Sequence, residues 1–195
     1  MILLIRHAAH SHLGTILSGR TPGIGLSPKG RAQADALARR LEATTIDAVH
    51  ASPVQRAQET AAAIAARHGL PVETVAALDE VDFGDWAGRG FAELAGDPRW
   101  DAWNAARASA PTPGGETMAQ AQARAWNHIA QAAAVEPGRT IAMISHCDII
   151  RAVLAEALGL SLDHLHRFDI GPASISRLVI GPWGEKVLSM NENCQ

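Results

Sequence analysis

Arg6, His7, Arg56, Glu80 and His146 are the residues whose types and spacing could do chemistry together. Guanidinium forks, imidazoles and a helix N-terminus make a site for an anion. The simplest ligand for so much positive character is a dianion such as a phosphoryl group. A carboxylate in that cluster would repel the ligand, unless Glu80 is protonated and donates to a leaving oxygen. Taken alone, the Arg6-His7 pair also reads as an edge arginine beside a structural histidine. The elements that would bring the five residues together therefore decide.

Those elements can be read along the chain. Met1 to Ile5 is an apolar run that stops at the Arg-His pair, the pattern of a buried strand in a parallel sheet. Small residues at Ala8 and Ala9 let the chain bend, so that Arg6 and His7 can face one ligand. Ser27-Pro28 opens a helix, with Ala34, Leu37, Ala38 and Leu41 at helical spacing. Ile46 to Ala51 reads as a second strand. Ser52-Pro53-Val54-Gln55 reads as a capping box, opening a helix that stops at Gly69-Leu70-Pro71. Val72 to Leu78 reads as a third strand, and Thr117 to Ala134 as a long Ala-rich helix. Thr140 to Ser145 repeats the first layout by ending at His146, before a helix over 149–158. Two closing strands flank Gly181-Pro182-Trp183-Gly184.

The alternation predicts one α/β domain over 1–195: a three-layer sandwich, with a mostly parallel central sheet flanked by helices. Residues 79–116 break the pattern with glycines, prolines and three of the five tryptophans, and read as a small cap-like insertion beside the site. In a parallel sheet His7, Arg56, Glu80 and His146 all fall along the carboxyl edge, where α/β sheets bind ligands.

Composition narrows the classes. The hydrophobic fraction is 47% and the net charge −3, which favours neither nucleic acid nor an acidic membrane surface as a partner. Only Lys29 and Lys186 among the 17 basic residues are lysines, so the chain is rich in planar forks suited to phosphate. Cys147 and Cys194 have no paired spacing, which fits a reducing compartment. The first apolar run is too short for a signal peptide and no run is long enough for a membrane span. The expectation is a cytoplasmic protein.

Four motifs then occur in order: Leu4-Ile5-Arg6-His7; Ser52-Pro53-x-x-Arg56-Ala57-x-x-Thr60-Ala61; Glu80-x-x-Phe83-Gly84-x-Trp86-x-Gly88; and Ser145-His146-x-Asp148-x-x-Arg151. With Gly114-Gly115-Glu116 before the long helix, the chain resembles the histidine phosphatase superfamily, which has the phosphoglycerate-mutase-like fold. The resemblance implies a nucleophilic His7 that forms a phosphohistidine, its other ring nitrogen donating to a fixed acceptor. It implies that Arg6, Arg56 and His146 bind the phosphoryl oxygens, and that Glu80 protonates the leaving group and then activates water. It implies a small phosphomonoester as substrate, with neither metal nor cofactor. The chain departs from the family at Ala8-Ala9-His10, where Gly-Glu-Thr is common, and at Leu13, near a usual Asn. Arg20 falls in a loop that contacts substrate in relatives. Cys147 follows His146 where some relatives carry an acidic donor; a thiol cannot serve as that donor, which leaves Glu80 as the candidate acid, and Cys147 reads either as a substrate-binding neighbour or as a buried small hydrophobe.

Several readings stay open. His7, His10 and His12 could suggest metal ligands, but their spacing matches no familiar site. Trp86 reads as packing; Trp100 and Trp103 could equally line an apolar substrate pocket. Ala-rich helices suit tight packing or a homodimer seam. A phosphatase is favoured over a mutase because the chain is short, and over a non-catalytic phospho-ligand binder because binding needs no nucleophile and acid.

Overall fold

In the computed structural model, which describes residues 1–135 and 137–193, six strands form one mixed sheet flanked by helices. The strands are β1 (Ile2–Arg6), β2 (Ala48–Ala51), β3 (Val72–Thr74), β4 (Ile141–Ser145), β5 (Ile175–Gly181) and β6 (Gly184–Glu192). Their spatial order is β3-β2-β4-β1-β5-β6. β3, β2, β4 and β1 run parallel, while β5 and β6 are the antiparallel closing hairpin. This is the expected α/β architecture. Cys194 lies outside the described residues.

Strand alternation builds two cores. Leu3 and Ile5 of β1 join Val49, Ala51, Ala142 and Ile144 against helices α1 (Pro28–Leu41) and α2 (Gln55–His68). Ile2 and Leu4 face the other way, with Ile141 and Met143. There they meet α5 (Met118–Val135) and α6 (Cys147–Ala157). Because each face of β1 is covered by a helix layer, its sequence is apolar throughout.

Residues 79–116 carry a 3₁₀ turn and the short helices α3 (Phe91–Leu94) and α4 (Pro98–Ala105). Trp86 and Trp103 are fully buried in the same apolar cluster as α5 and α6. They stack edge-on with neighbouring rings: Trp86 on Trp100, with centroids 5.3 Å apart, and Trp103 on Phe83 at 6.3 Å. These tryptophans are core, which resolves Trp103 in favour of packing. No helix among the described residues is long and apolar enough to cross a membrane.

Two local expectations are corrected. The apolar run 72–78 pairs as a strand only through Thr74, and Ala76–Leu78 is a 3₁₀ turn. The turn swings Asp79 and Glu80 back over the sheet edge, anchored where Ser145 Oγ donates to the Leu78 carbonyl at 2.7 Å. The capping box does not form. α2 begins at Gln55 after Val54, and the Gln55 amide donates to Glu59 instead, at 2.6 Å. The Ser27 cap does form, accepting from the Gly30 N–H at 3.0 Å.

Gly30 also permits a close approach. A Cβ there would lie 1.8 Å from the Ala9 carbonyl oxygen, to which Ser27 donates from both N–H and Oγ. α1 is thus pressed against the segment that follows His7. Gly30→Ala is expected to cost about 1–3 kcal/mol through overpacking. Calorimetry should then show a melting temperature lower by roughly 2–12 °C for a domain of this size.

Candidate active site

Strand register places the site. β1 and β4 are neighbours with Arg6 opposite Ser145, so the next residues, His7 and His146, emerge side by side at the carboxyl edge. Their ring centroids are 5.1 Å apart. Ala51 of β2 pairs with Ile144, which puts Ser52 on the other flank of His146. Arg56 projects from the first turn of α2 into the same space and is almost wholly buried.

His7 is 3% exposed and held at one nitrogen. Its Nδ1 lies 2.8 Å from the Ala8 carbonyl, an acceptor only, so Nδ1 carries the proton. The lone pair is on Nε2, which accepts from Arg56 Nε at 3.2 Å. Burial, followed by the Arg56 and Arg6 charges, pushes its pKa well below the usual histidine value, so the ring stays neutral. Ala8 has no positive φ, and its N–H donates to Thr60 Oγ1 at 3.0 Å. The chain therefore bends after His7 without a glycine.

Arg56 Nη2 donates to the Gly19 carbonyl at 2.8 Å and to His146 Nδ1 at 3.1 Å. His146 then donates from Nε2 to Ser52 Oγ at 2.8 Å, and Ser52 Oγ donates to Asp79 at 3.2 Å. Arg6 is braced by a 2.6 Å bond from Nη1 to the Ile170 carbonyl. Arg56 Nη1 and Arg6 Nε are buried without a hydrogen-bond partner among the described residues. Orphaned guanidinium donors are costly unless an anion meets them.

Glu80 Oε1 accepts from the Val81 N–H at 2.9 Å, and Oε2 lies 3.8 Å from His146 Nδ1. Burial, reinforced by the nearby Asp148 charge and opposed by Arg56, raises its pKa to about 7. A carboxyl poised there can give and take a proton near neutrality. Burial works against ionising Asp148, but Arg107 at 2.8 Å keeps its carboxyl below the ordinary range.

These groups enclose a cavity of about 140 Å³, lined by Arg6, His7, His10, Arg56, Glu80, Cys147 and Asp148 with several apolar residues. The end of it that carries Arg6 and Arg56 suits a phosphoryl group. Cys147 sits at the start of α6, and burial lifts its thiol to about 11, so it behaves as a small neutral wall.

Arg20 does not join the cluster. It is held outside by Glu116 at 2.7 Å, Asp79 at 3.4 Å and the Glu80 carbonyl at 2.8 Å. Arg124 grips the same Glu116 and the same Glu80 carbonyl, so this network fixes the backbone that carries the acid. Glu116→Ala is expected to lower stability by about 1.5–3 kcal/mol, the range for hydrogen bonds to charged groups. A lower urea midpoint at unchanged m-value would report it. Nor do His7, His10 and His12 form a metal cage: no group of three suitable side chains occurs among the described residues.

Sequence reasoning missed the parts played by Ser52, Thr60, His10 and Asp148. Ser52 looked like a cap, and its real partner His146 is 94 residues away. Asp148 was visible in its motif two residues after His146, in the first turn of a helix beginning at the sheet edge.

Comparison with known proteins fits this geometry. The sequence model of the Histidine phosphatase superfamily (branch 1) matches residues 2–193. An uncharacterized protein of Mycobacterium tuberculosis is 56% identical over 71 residues, 36% of this chain and only 35% of that relative. The Escherichia coli adenosylcobalamin/alpha-ribazole phosphatase is 29% identical over 171 residues, covering 86% of this chain and 83% of its own. Among solved structures, mycobacterial glucosyl-3-phosphoglycerate phosphatase superposes with a TM-score of 0.88 at 26% identity, covering 98% of both chains.

Proposed function

The chain belongs to the histidine phosphatase superfamily, and on that premise we propose that it is a phosphomonoesterase working through a phosphohistidine at His7. The observation that carries this reading is the fixed tautomer of His7: Nδ1 pinned to the Ala8 carbonyl, with the Nε2 lone pair facing Arg56.

In the first step the phosphoryl oxygens take the donors of Arg6 and Arg56, which frees Nε2 from its bond to Arg56. Nε2 attacks phosphorus; a P–N bond forms and the ester P–O bond breaks. Glu80 protonates the leaving oxygen. In the second step the Glu80 carboxylate takes a proton from water, whose oxygen attacks phosphorus as the P–N bond breaks. Inorganic phosphate leaves, and His7 and Glu80 return to their starting states. Two guanidiniums supply the positive charge that a metal supplies in other phosphoryl-transfer enzymes, so the mechanism requires no metal.

The test is to quench turnover of a labelled phosphomonoester in chelator and map the label. An acid-labile phosphoryl group on His7 is expected. Label on another residue, or a strict requirement for added metal, would overturn the proposal.

A further inference from the structure

The cavity has two chemically different ends. The phosphoryl end holds Arg6 and Arg56; the mouth is lined by Leu13, Ile16, Leu17, Phe83 and Phe91. Leu13 is 38% exposed, a large apolar side chain in a position open to a ligand. The wall is preformed: Leu17 N–H donates to the Arg89 carbonyl at 2.9 Å, Gly88 N–H to Leu17 at 2.8 Å, and Phe91 N–H to Thr15 at 3.0 Å.

The cations near this end are paired elsewhere, Arg89 with Glu93 at 3.7 Å on the surface. Arg20 is bound to Glu116 and Asp79 and does not line the cavity. Arg107 is bound to Asp148 and Asn104, and lies 5.2 Å over the Trp103 ring. Arg151 is bound to Asp169 at 2.7 Å. His10 reaches the cavity as a neutral ring, its pKa lowered to about 4 by burial and then by Arg56. Besides Arg6, Arg56 and Glu80, the charged side chain in the lining is a carboxylate, Asp148, which Arg107 holds at 2.8 Å and Arg151 approaches at 3.8 Å, so it offers a second anion no cation. A second anionic group on a substrate would be desolvated there without a partner.

We propose that this mouth is a leaving-group subsite for uncharged, apolar alcohols, which selects aryl and aryl-alkyl phosphomonoesters and rejects esters carrying a second anion. The inference rests on the phosphatase reading above. It also separates this chain from a phosphoglycerate mutase, whose substrate carries a carboxylate beside its phosphate.

The test compares two primary-alkyl esters, so that intrinsic leaving-group ability does not decide: 3-phenylpropyl phosphate and 3-phosphoglycerate. The expected kcat/KM ratio is about 10²-fold in favour of the phenylpropyl ester, the scale of burying one apolar group in a pocket. Leu13→Arg, at an exposed position, is expected to move that ratio at least ~10-fold towards 3-phosphoglycerate by supplying the missing cation. Turnover of both esters without preference, or a ratio unmoved by Leu13→Arg, would overturn the subsite alone. Release from neither ester would overturn the phosphatase reading and the subsite with it.

Discussion

His7→Ala is expected to cut phosphate release on the order of 10⁵–10⁶-fold, the scale seen when a hydrolase loses its nucleophile. The remaining groups bind but cannot form the P–N bond. Inorganic phosphate should therefore still bind, because Arg6 and Arg56 keep their donors. His7→Gln serves as a companion, since it fills more of the buried space and guards against a simple packing defect. Release kinetics and phosphate titration on both variants decide the matter. Near-wild-type turnover in either would mean that His7 is not the nucleophile.

Glu80→Gln comes next in size, with an expected loss of about 10²–10⁴-fold for an alkyl ester, the usual contribution of a general acid. The loss should shrink for a nitrophenyl ester, whose leaving group needs no proton. The wild-type rate is expected to hold below pH about 7 and to fall above it, because the acid with its pKa raised to about 7 must be protonated for the first step. His7 is already neutral there, its own pKa being depressed. The variant should lose that alkaline limb. Stability carries the same signature. The fold prefers Glu80 protonated, so its favourable contribution is whole below the ordinary carboxyl value of 4.5 and lost as pH rises to about 7. Relative to wild type, Glu80→Gln should therefore be more stable above about pH 7 than below 4.5. Identical pH profiles for the two proteins would remove Glu80 from the acid's place.

What the sequence made legible follows from range. The apolar run ending at Arg6-His7, its echo at His146 and the Ser27-Pro28 cap are local patterns, and each is present in the fold. Parallel pairing then set His7, Arg56, Glu80 and His146 on one edge. What stayed hidden depends on distant partners. Ser52 has the spacing of a cap, yet its hydroxyl answers to His146 and Asp79. Arg20 sits in a loop suited to substrate, yet carboxylates from positions 79 and 116 draw it away. The run 72–78 is apolar enough for a strand, but Leu78 must turn inward to bring Glu80 over the edge.

The shared burial of Trp86 and Trp103 with α5 and α6 has a consequence for exchange with solvent. A wall anchored in the main core opens only when that core opens, so the amides of Trp86 and Leu94 should exchange with deuterium at the slow, global limit. The loop around Leu13 is exposed at its tip and held there by a local turn, Leu13 N–H to the His10 carbonyl at 3.2 Å, so it should exchange earlier than the tryptophan wall. Substitutions that retune the site are therefore better tolerated on that loop than in the tryptophan wall.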